Sequence, residues 1–267
     1  MHEESLSNST SDTSNINSST FKWIKGEQIG KGRYGTVYLG LNAITGELMA
    51  VKQVQVPKAT TDDSKEMDAF AAENDILKDL DHPNIVQHLG FERSVDYLNI
   101  FLEYVPGGSI GGCIQKYGQF DSDTVRSFTS QILAGLEYLY SRGISHRNLT
   151  IDNILVTHSG GCKISVSSNH TSSGHDTNMD IWYLGCAFLE MWAGKRLWDQ
   201  STISAMYKLR SEQTPSLPDD VKLDELGDDF RRKCFLLDEN EPTATELKEH
   251  PFLLTRNGTP NPSNPPL

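Results

Sequence analysis

Gly30, Gly32 and Gly35 follow the spacing Gly-x-Gly-x-x-Gly, Val37 comes just after them, and the run Ala50-Val51-Lys52 follows. Glycines at that spacing let a backbone come close to a ligand and turn its N–H groups toward an anion. A lysine on a later strand would bring a cation to the same place. The chemistry is that of gripping a polyphosphate. Dinucleotide folds use the same glycine spacing, but there a helix follows the glycines directly. Here Thr36-Val37-Tyr38-Leu39 is β-branched and aromatic, which predicts a strand.

The elements that must carry this grip are legible from pattern. Asn42-Ala43-Ile44-Thr45-Gly46-Glu47 predicts a hairpin loop that returns through Leu48-Met49-Ala50-Val51-Lys52. A β-rich start to about residue 57 gives way to a helical stretch over Ser64 to Leu80. Phe70, Ile76, Leu77 and Leu80 form its apolar stripe, and Glu73 sits within it. Strands are predicted at Ile85 to Leu89 and at Leu98 to Leu102, before Glu103-Tyr104-Val105-Pro106-Gly107-Gly108-Ser109 breaks the pattern as a hinge would. Beyond it, periodicity predicts helices over Asp123–Arg142, Asp180–Ala193, Ile203–Arg210, Leu226–Phe235 and Thr243–Glu249. The expected class is α+β, a small antiparallel β-rich lobe followed by a larger helical lobe.

Composition narrows the function classes. The 267-residue chain can hold one large two-lobed domain, and its net charge of −12 argues against binding nucleic-acid backbones. Cys113, Cys162, Cys186 and Cys234 lack metal-site or close paired spacing, so reduced thiols and a cytoplasmic setting are expected. No leader and no long apolar run is evident, so no membrane association is expected. Residues 1–20 are Ser-, Thr- and Asn-rich and residues 255–267 Pro- and Asn-rich, and both are expected as disordered tails. The folded domain is placed at 21–254, with one lobe at about 21–102, the hinge at about 103–108 and the second lobe at about 109–254.

With these residues in order, the chain resembles a eukaryotic protein kinase domain across roughly residues 23–254. In detail it is similar to fungal mitogen-activated protein kinase kinase kinases. The resemblance is carried by the glycine hairpin and by Trp23 to Gly30, Val51 to Pro57, Leu77 to His82 and Asp180 to Cys186. It implies a two-lobed kinase fold, an ATP cleft at the hinge, and a relative that phosphorylates Ser or Thr of a downstream kinase. It also implies residue roles. Gly30, Gly32 and Gly35 would cover the phosphates, Lys52 would contact them, and Glu73 would hold Lys52 by an ion pair. Leu102 matches the gatekeeper, and Glu103 and Val105 would offer backbone groups to adenine. Ile29, Val37, Ala50 and Leu155 would sandwich the ring, although plain core packing explains such residues as well.

The catalytic pattern departs from the family. In His146-Arg147-Asn148-Leu149-Thr150-Ile151-Asp152-Asn153, Asn148 replaces the catalytic Asp, and Thr150 replaces a Lys that steadies the transferring phosphoryl group. An amide cannot act as a carboxylate base, a loss of about 10²- to 10⁴-fold in rate. Val166 replaces the metal-binding Asp, which leaves Asn153 as the remaining candidate ligand and predicts weak or absent Mg²⁺ binding. Ser167 replaces a Phe that in relatives links Leu77 to His146. Only Asn169 to Ser173 separates Ser168 from the stretch Gly174 to Asp180, so the activation segment is largely absent. Glu241 replaces the Arg that would pair with that segment. Asp180, which in relatives ties down the catalytic loop, is retained. An omitted exon would create the same gap, but it would not change Asn148, Thr150 or Glu241.

Several readings stay open at this stage. One is an ATP-binding pseudokinase or severely impaired kinase that acts through partners, such as MAP kinase cascade proteins. The second is an active Ser/Thr kinase with an artefactual gap, and the third is a decaying duplicate.

Overall fold

The computed structural model describes residues 22–32, 35–55, 76–94, 96–166, 177–197, 217–219, 221–236 and 241–254. Both expected tails, Glu73, most of the helical stretch at 64–80, residues 167–176 and the helix expected at 203–210 lie outside the described residues.

The first lobe is one antiparallel sheet of β1 (Trp23–Gly32), β2 (Gly35–Asn42), β3 (Leu48–Gln55), β4 (His88–Arg93) and β5 (Tyr97–Glu103), in the order β1-β2-β3-β5-β4. Gly35 has φ +151°, and a Cβ there would lie 2.3 Å from the Gln53 carbonyl oxygen, so the β1–β2 turn needs a glycine at this point. Alternation gives the sheet two faces. Met49, Val51 and Phe101 pack with Trp23 and Leu89 on one of them. Leu98, Ile100 and Leu102 pack with Ala50 and Val54 on the other.

One expectation needs correction. The strand predicted at Ile85–Leu89 begins later, as β4 at His88. Ile85 is buried in the second lobe's core and bridges to Ile164, whereas Val86 packs with Leu98, Ile100 and Leu102 and only its backbone N–H reaches Ile164 C=O; Ile164 N–H donates to Asn84 C=O. Apolar periodicity reports burial and cannot say which lobe buries a residue.

The second lobe is helical, as expected, with α1 (Ile110–Tyr117), α2 (Ser122–Ser141), α3 (Thr177–Ala193), α4 (Glu225–Cys234), α5 (Ala244–Lys248) and α6 (Pro251–Leu254). The hairpin β6 (Ile154–Val156) and β7 (Cys162–Ile164) lies between α2 and α3. α1 and α6 were not anticipated, because each is too short for its periodicity to stand out. α2 starts at Asp121, whose carboxylate caps Thr124 N–H, and buries Val125, Phe128, Ile132, Leu133, Leu136 and Leu139 at helical spacing. α3 is buried over nearly its whole length, and its Phe188 ring meets Phe230 and Phe252 at 5.2 and 5.5 Å between centroids. A helix apolar on every side becomes the axis around which the others pack. No helix among the described residues is long and apolar enough to cross a membrane.

Candidate functional site: a nucleotide cleft with an altered catalytic loop

Sheet register brings the candidate residues together in two cross-strand rows. Gly30 faces Val37, Val37 faces Lys52, and Lys52 faces Ile100, so the glycine hairpin and the lysine lie side by side. In the next row Leu39, Ala50, Leu102 and His88 are successive partners. Ala50, Leu102, Val105 and Leu155 belong to one apolar cluster, drawn from β3, β5, the hinge and β6. Ile29 is exposed and Val37 half-buried, and neither belongs to that cluster. Gly32 ends β1 next to the turn.

The hinge is fastened to the second lobe through backbone bonds. Gly107 N–H donates to Val156 C=O, Val156 N–H donates to Gly108 C=O, and Ser109 bridges to Leu155. A Cβ on Gly107 would lie 2.3 Å from the Val156 oxygen, which is why the hinge passes there on a glycine. Among the described residues, Val105 N–H donates to no backbone acceptor, while Glu103 N–H is used by Gln87 C=O. One free donor beside a flat apolar slot suits the edge of a heteroaromatic base. Burial pushes the pKa of the Lys52 ammonium down from its ordinary value, so an incoming phosphate would stabilise its charge. These residues fit a nucleotide. The expected ion pair with Glu73 lies outside the described residues.

The catalytic loop is held firmly. Asp180, fully buried on α3, accepts hydrogen bonds from His146 N–H at 2.7 Å, Arg147 N–H at 2.5 Å and the Tyr140 hydroxyl at 3.3 Å. The tie expected of the retained Asp is therefore present. Arg147 has φ +60°, a left-handed conformation that costs a non-glycine residue about 1–2 kcal/mol. Burial, followed by the charges of Asp180 and Glu241, pushes the Tyr140 phenol far above its usual range and keeps it a donor. Glu241 thus lies on the Tyr140–Asp180 side of the lobe.

The loop is also bonded internally. Asn148 N–H lies 2.8 Å from the His146 carbonyl, and its own carbonyl accepts Asn153 Nδ2 at 2.8 Å. Asn153 also accepts Ser165 N–H on its backbone carbonyl. Val166 is buried in the main apolar core. A hard Mg²⁺ ion needs several oxygen ligands. Among the described residues an isopropyl group and one amide oxygen offer too few oxygen ligands, so these residues do not fit the metal. Among the described residues no cluster of His, Cys, Asp or Glu could hold a metal ion.

Two residues of the cleft escaped sequence reasoning. His88 lies beyond Leu102 with Nδ1 buried and unpaired, and Lys163 pairs with Glu103 at 2.7 Å. A histidine inside an apolar strand run was the available signal for the first. The second had none, because Glu103 and Lys163 are distant in sequence.

Similarity to known proteins gives the family. The protein kinase domain profile matches residues 23–165. The Saccharomyces cerevisiae serine/threonine-protein kinase BCK1/SLK1/SSP31 is 43% identical over 87% of the chain, which spans 18% of that protein. MAP kinase kinase kinase mkh1 of Schizosaccharomyces pombe is 41% identical over 88% of the chain, which spans 24% of it. The chain thus covers less than a quarter of the length of these fungal relatives. A crystal structure of Rad53 1–466 in complex with AMP-PNP superposes with a TM-score of 0.73 at 27% identity, over 87% of this chain and 65% of that one. The chain belongs to the protein kinase domain family, and its kinase domain is of the MAP kinase kinase kinase type.

Proposed function

We propose that this chain is an ATP-binding pseudokinase, or a severely impaired Ser/Thr kinase, that works as a scaffold or allosteric partner in a MAP kinase cascade. One contrast carries the reading: Lys52 is half-buried beside an apolar slot with a free hinge donor, while Val166 is packed in the core where a metal ligand would be needed. Gly30, Gly32, Gly35 and Lys52 would hold the phosphates, with Glu73 supporting Lys52. Ile29, Val37, Ala50, Leu102 and Leu155 would enclose the base against the Glu103–Val105 backbone. Asn148 would replace the base without its chemistry, and Asn153 would be at most a weak metal ligand.

ATP at 100 times its dissociation constant should stabilise the fold by about 2.7 kcal/mol. The thermal shift should be the same with and without Mg²⁺ and should be lost in Lys52→Ala. No shift at millimolar ATP would retire nucleotide binding, and a Mg²⁺-dependent shift would contradict the role assigned to Val166. With labelled ATP, Mg²⁺ or Mn²⁺ and a kinase-kinase substrate, no phosphoryl transfer is expected.

The second reading, an active kinase, is favoured by the intact tie between Asp180 and the catalytic loop. Turnover abolished by Lys52→Ala would establish it and sink the pseudokinase. Sequencing the transcript across residues 164–176 would show whether an exon restores a substrate loop.

A further inference from the structure

Behind the hinge, one carboxylate joins three elements. Glu103 Oε2 accepts Lys163 Nζ at 2.7 Å and Gln87 N–H at 3.1 Å, while Glu103 N–H returns a bond to Gln87 C=O at 2.9 Å. Lys163 lies on β7, and its partner across the β6–β7 hairpin is Leu155, part of the apolar slot. The side chains are 18% and 32% exposed, so water screens the pair only in part. The same hairpin therefore supplies one wall of the slot and the cation that fixes the strand opposite.

We propose that Lys163 is a positioning residue for nucleotide, holding the hinge in register through Glu103 so that its backbone meets the base edge. The proposal rests on the nucleotide-cleft reading above, and it assigns Lys163 to the base, whereas Lys52 serves the phosphates. The geometry makes that division testable, because Lys163 lies behind the hinge and acts on the ligand only through Glu103. Without Lys163, the Glu103 carboxylate keeps a single neutral donor in a half-buried place and turns toward water, releasing the hinge segment that carries Val105.

Titration calorimetry of the full chain with ATP, ADP and adenosine, without metal, reads the effect. Lys163→Met should raise all three dissociation constants by a similar factor, about five- to tenfold. Lys163→Arg should restore them, and adding Glu103→Gln to Lys163→Met should cause little further loss. Lys52→Ala should weaken ATP and ADP while sparing adenosine. Unchanged affinities in Lys163→Met, or a loss confined to the phosphorylated ligands, would overturn the proposal. If the wild-type chain binds none of the three, the cleft reading itself fails. The latch is then read in the ligand-free protein from amide hydrogen exchange. Faster exchange at Glu103 and Gly107 in Lys163→Met supports it, and unchanged exchange rejects it.

Discussion

Asp180→Ala should destabilise the fold by about 3–5 kcal/mol. The carboxylate is fully buried, and it receives two backbone N–H groups and a phenol. Alanine would remove the carboxylate acceptor from the N–H groups of buried His146 and half-buried Arg147, at about 1–3 kcal/mol each. It would also release Arg147, whose φ of +60° persists because its neighbours fix it. Urea unfolding of the variant against wild type measures the loss. Asp228→Ala serves as a control, because that carboxylate pairs with Arg231 and Arg232 on a more open surface and should cost less than about 1 kcal/mol. A loss in Asp180→Ala no larger than the control's would show that the tie is dispensable. A large loss would mean that the scaffold of the catalytic loop is maintained in a chain whose loop carries Asn148.

His88→Leu should stabilise the protein, and increasingly so as the pH falls. His88 is buried beside Leu102, its Nδ1 has no partner, and burial followed by the Lys52 charge lowers its pKa from 6.5 to about 4. Its folded-state value lies below the unfolded one, so the unfolded chain binds the proton more readily. The wild-type fold therefore loses stability as pH drops from about 6.5 toward 4, and has none of this loss above 6.5. The full difference is worth about 3 kcal/mol. At pH 7 the variant should already gain about 1 kcal/mol, because it removes a buried ring nitrogen that has no hydrogen-bond partner. Denaturant unfolding of both proteins at several pH values isolates the effect, since the carboxylates that titrate in the same window are common to the two. A constant difference between variant and wild type from pH 7 to pH 4.5 would reject this account. A buried imidazole kept at such a cost also singles out the region beyond Leu102 as one where packing alone does not explain the residue chosen.

Much of the cleft was readable from the chain. The glycine spacing, the Thr36–Leu39 strand and the Ala50–Lys52 ending identify a hairpin and its neighbouring strand, because period-two alternation and turn chemistry are local properties. α2 was legible for the same reason, since its apolar positions repeat over many turns, and α3 was legible as a long apolar run. The limits were equally local. Ile85 and Val86 read as strand because nothing in their neighbourhood says that Ile164 will be their partner. α1 has too few turns to declare a face.

By itself, the sequence determined which chemical groups are present and which are not: a glycine hairpin followed by an ammonium at Lys52, an amide at Asn148, and a hydrocarbon at Val166. No folding can turn those last two into a carboxylate. Tertiary structure alone decided how distant groups meet. It aligned Ala50, Leu102 and His88 by strand register, buried Val166, clamped a left-handed Arg147 with Asp180, and joined Lys163 to Glu103 behind the hinge. The reason is physical, because side-chain chemistry is fixed residue by residue, whereas pairing between residues far apart in the chain is settled only when the lobes pack.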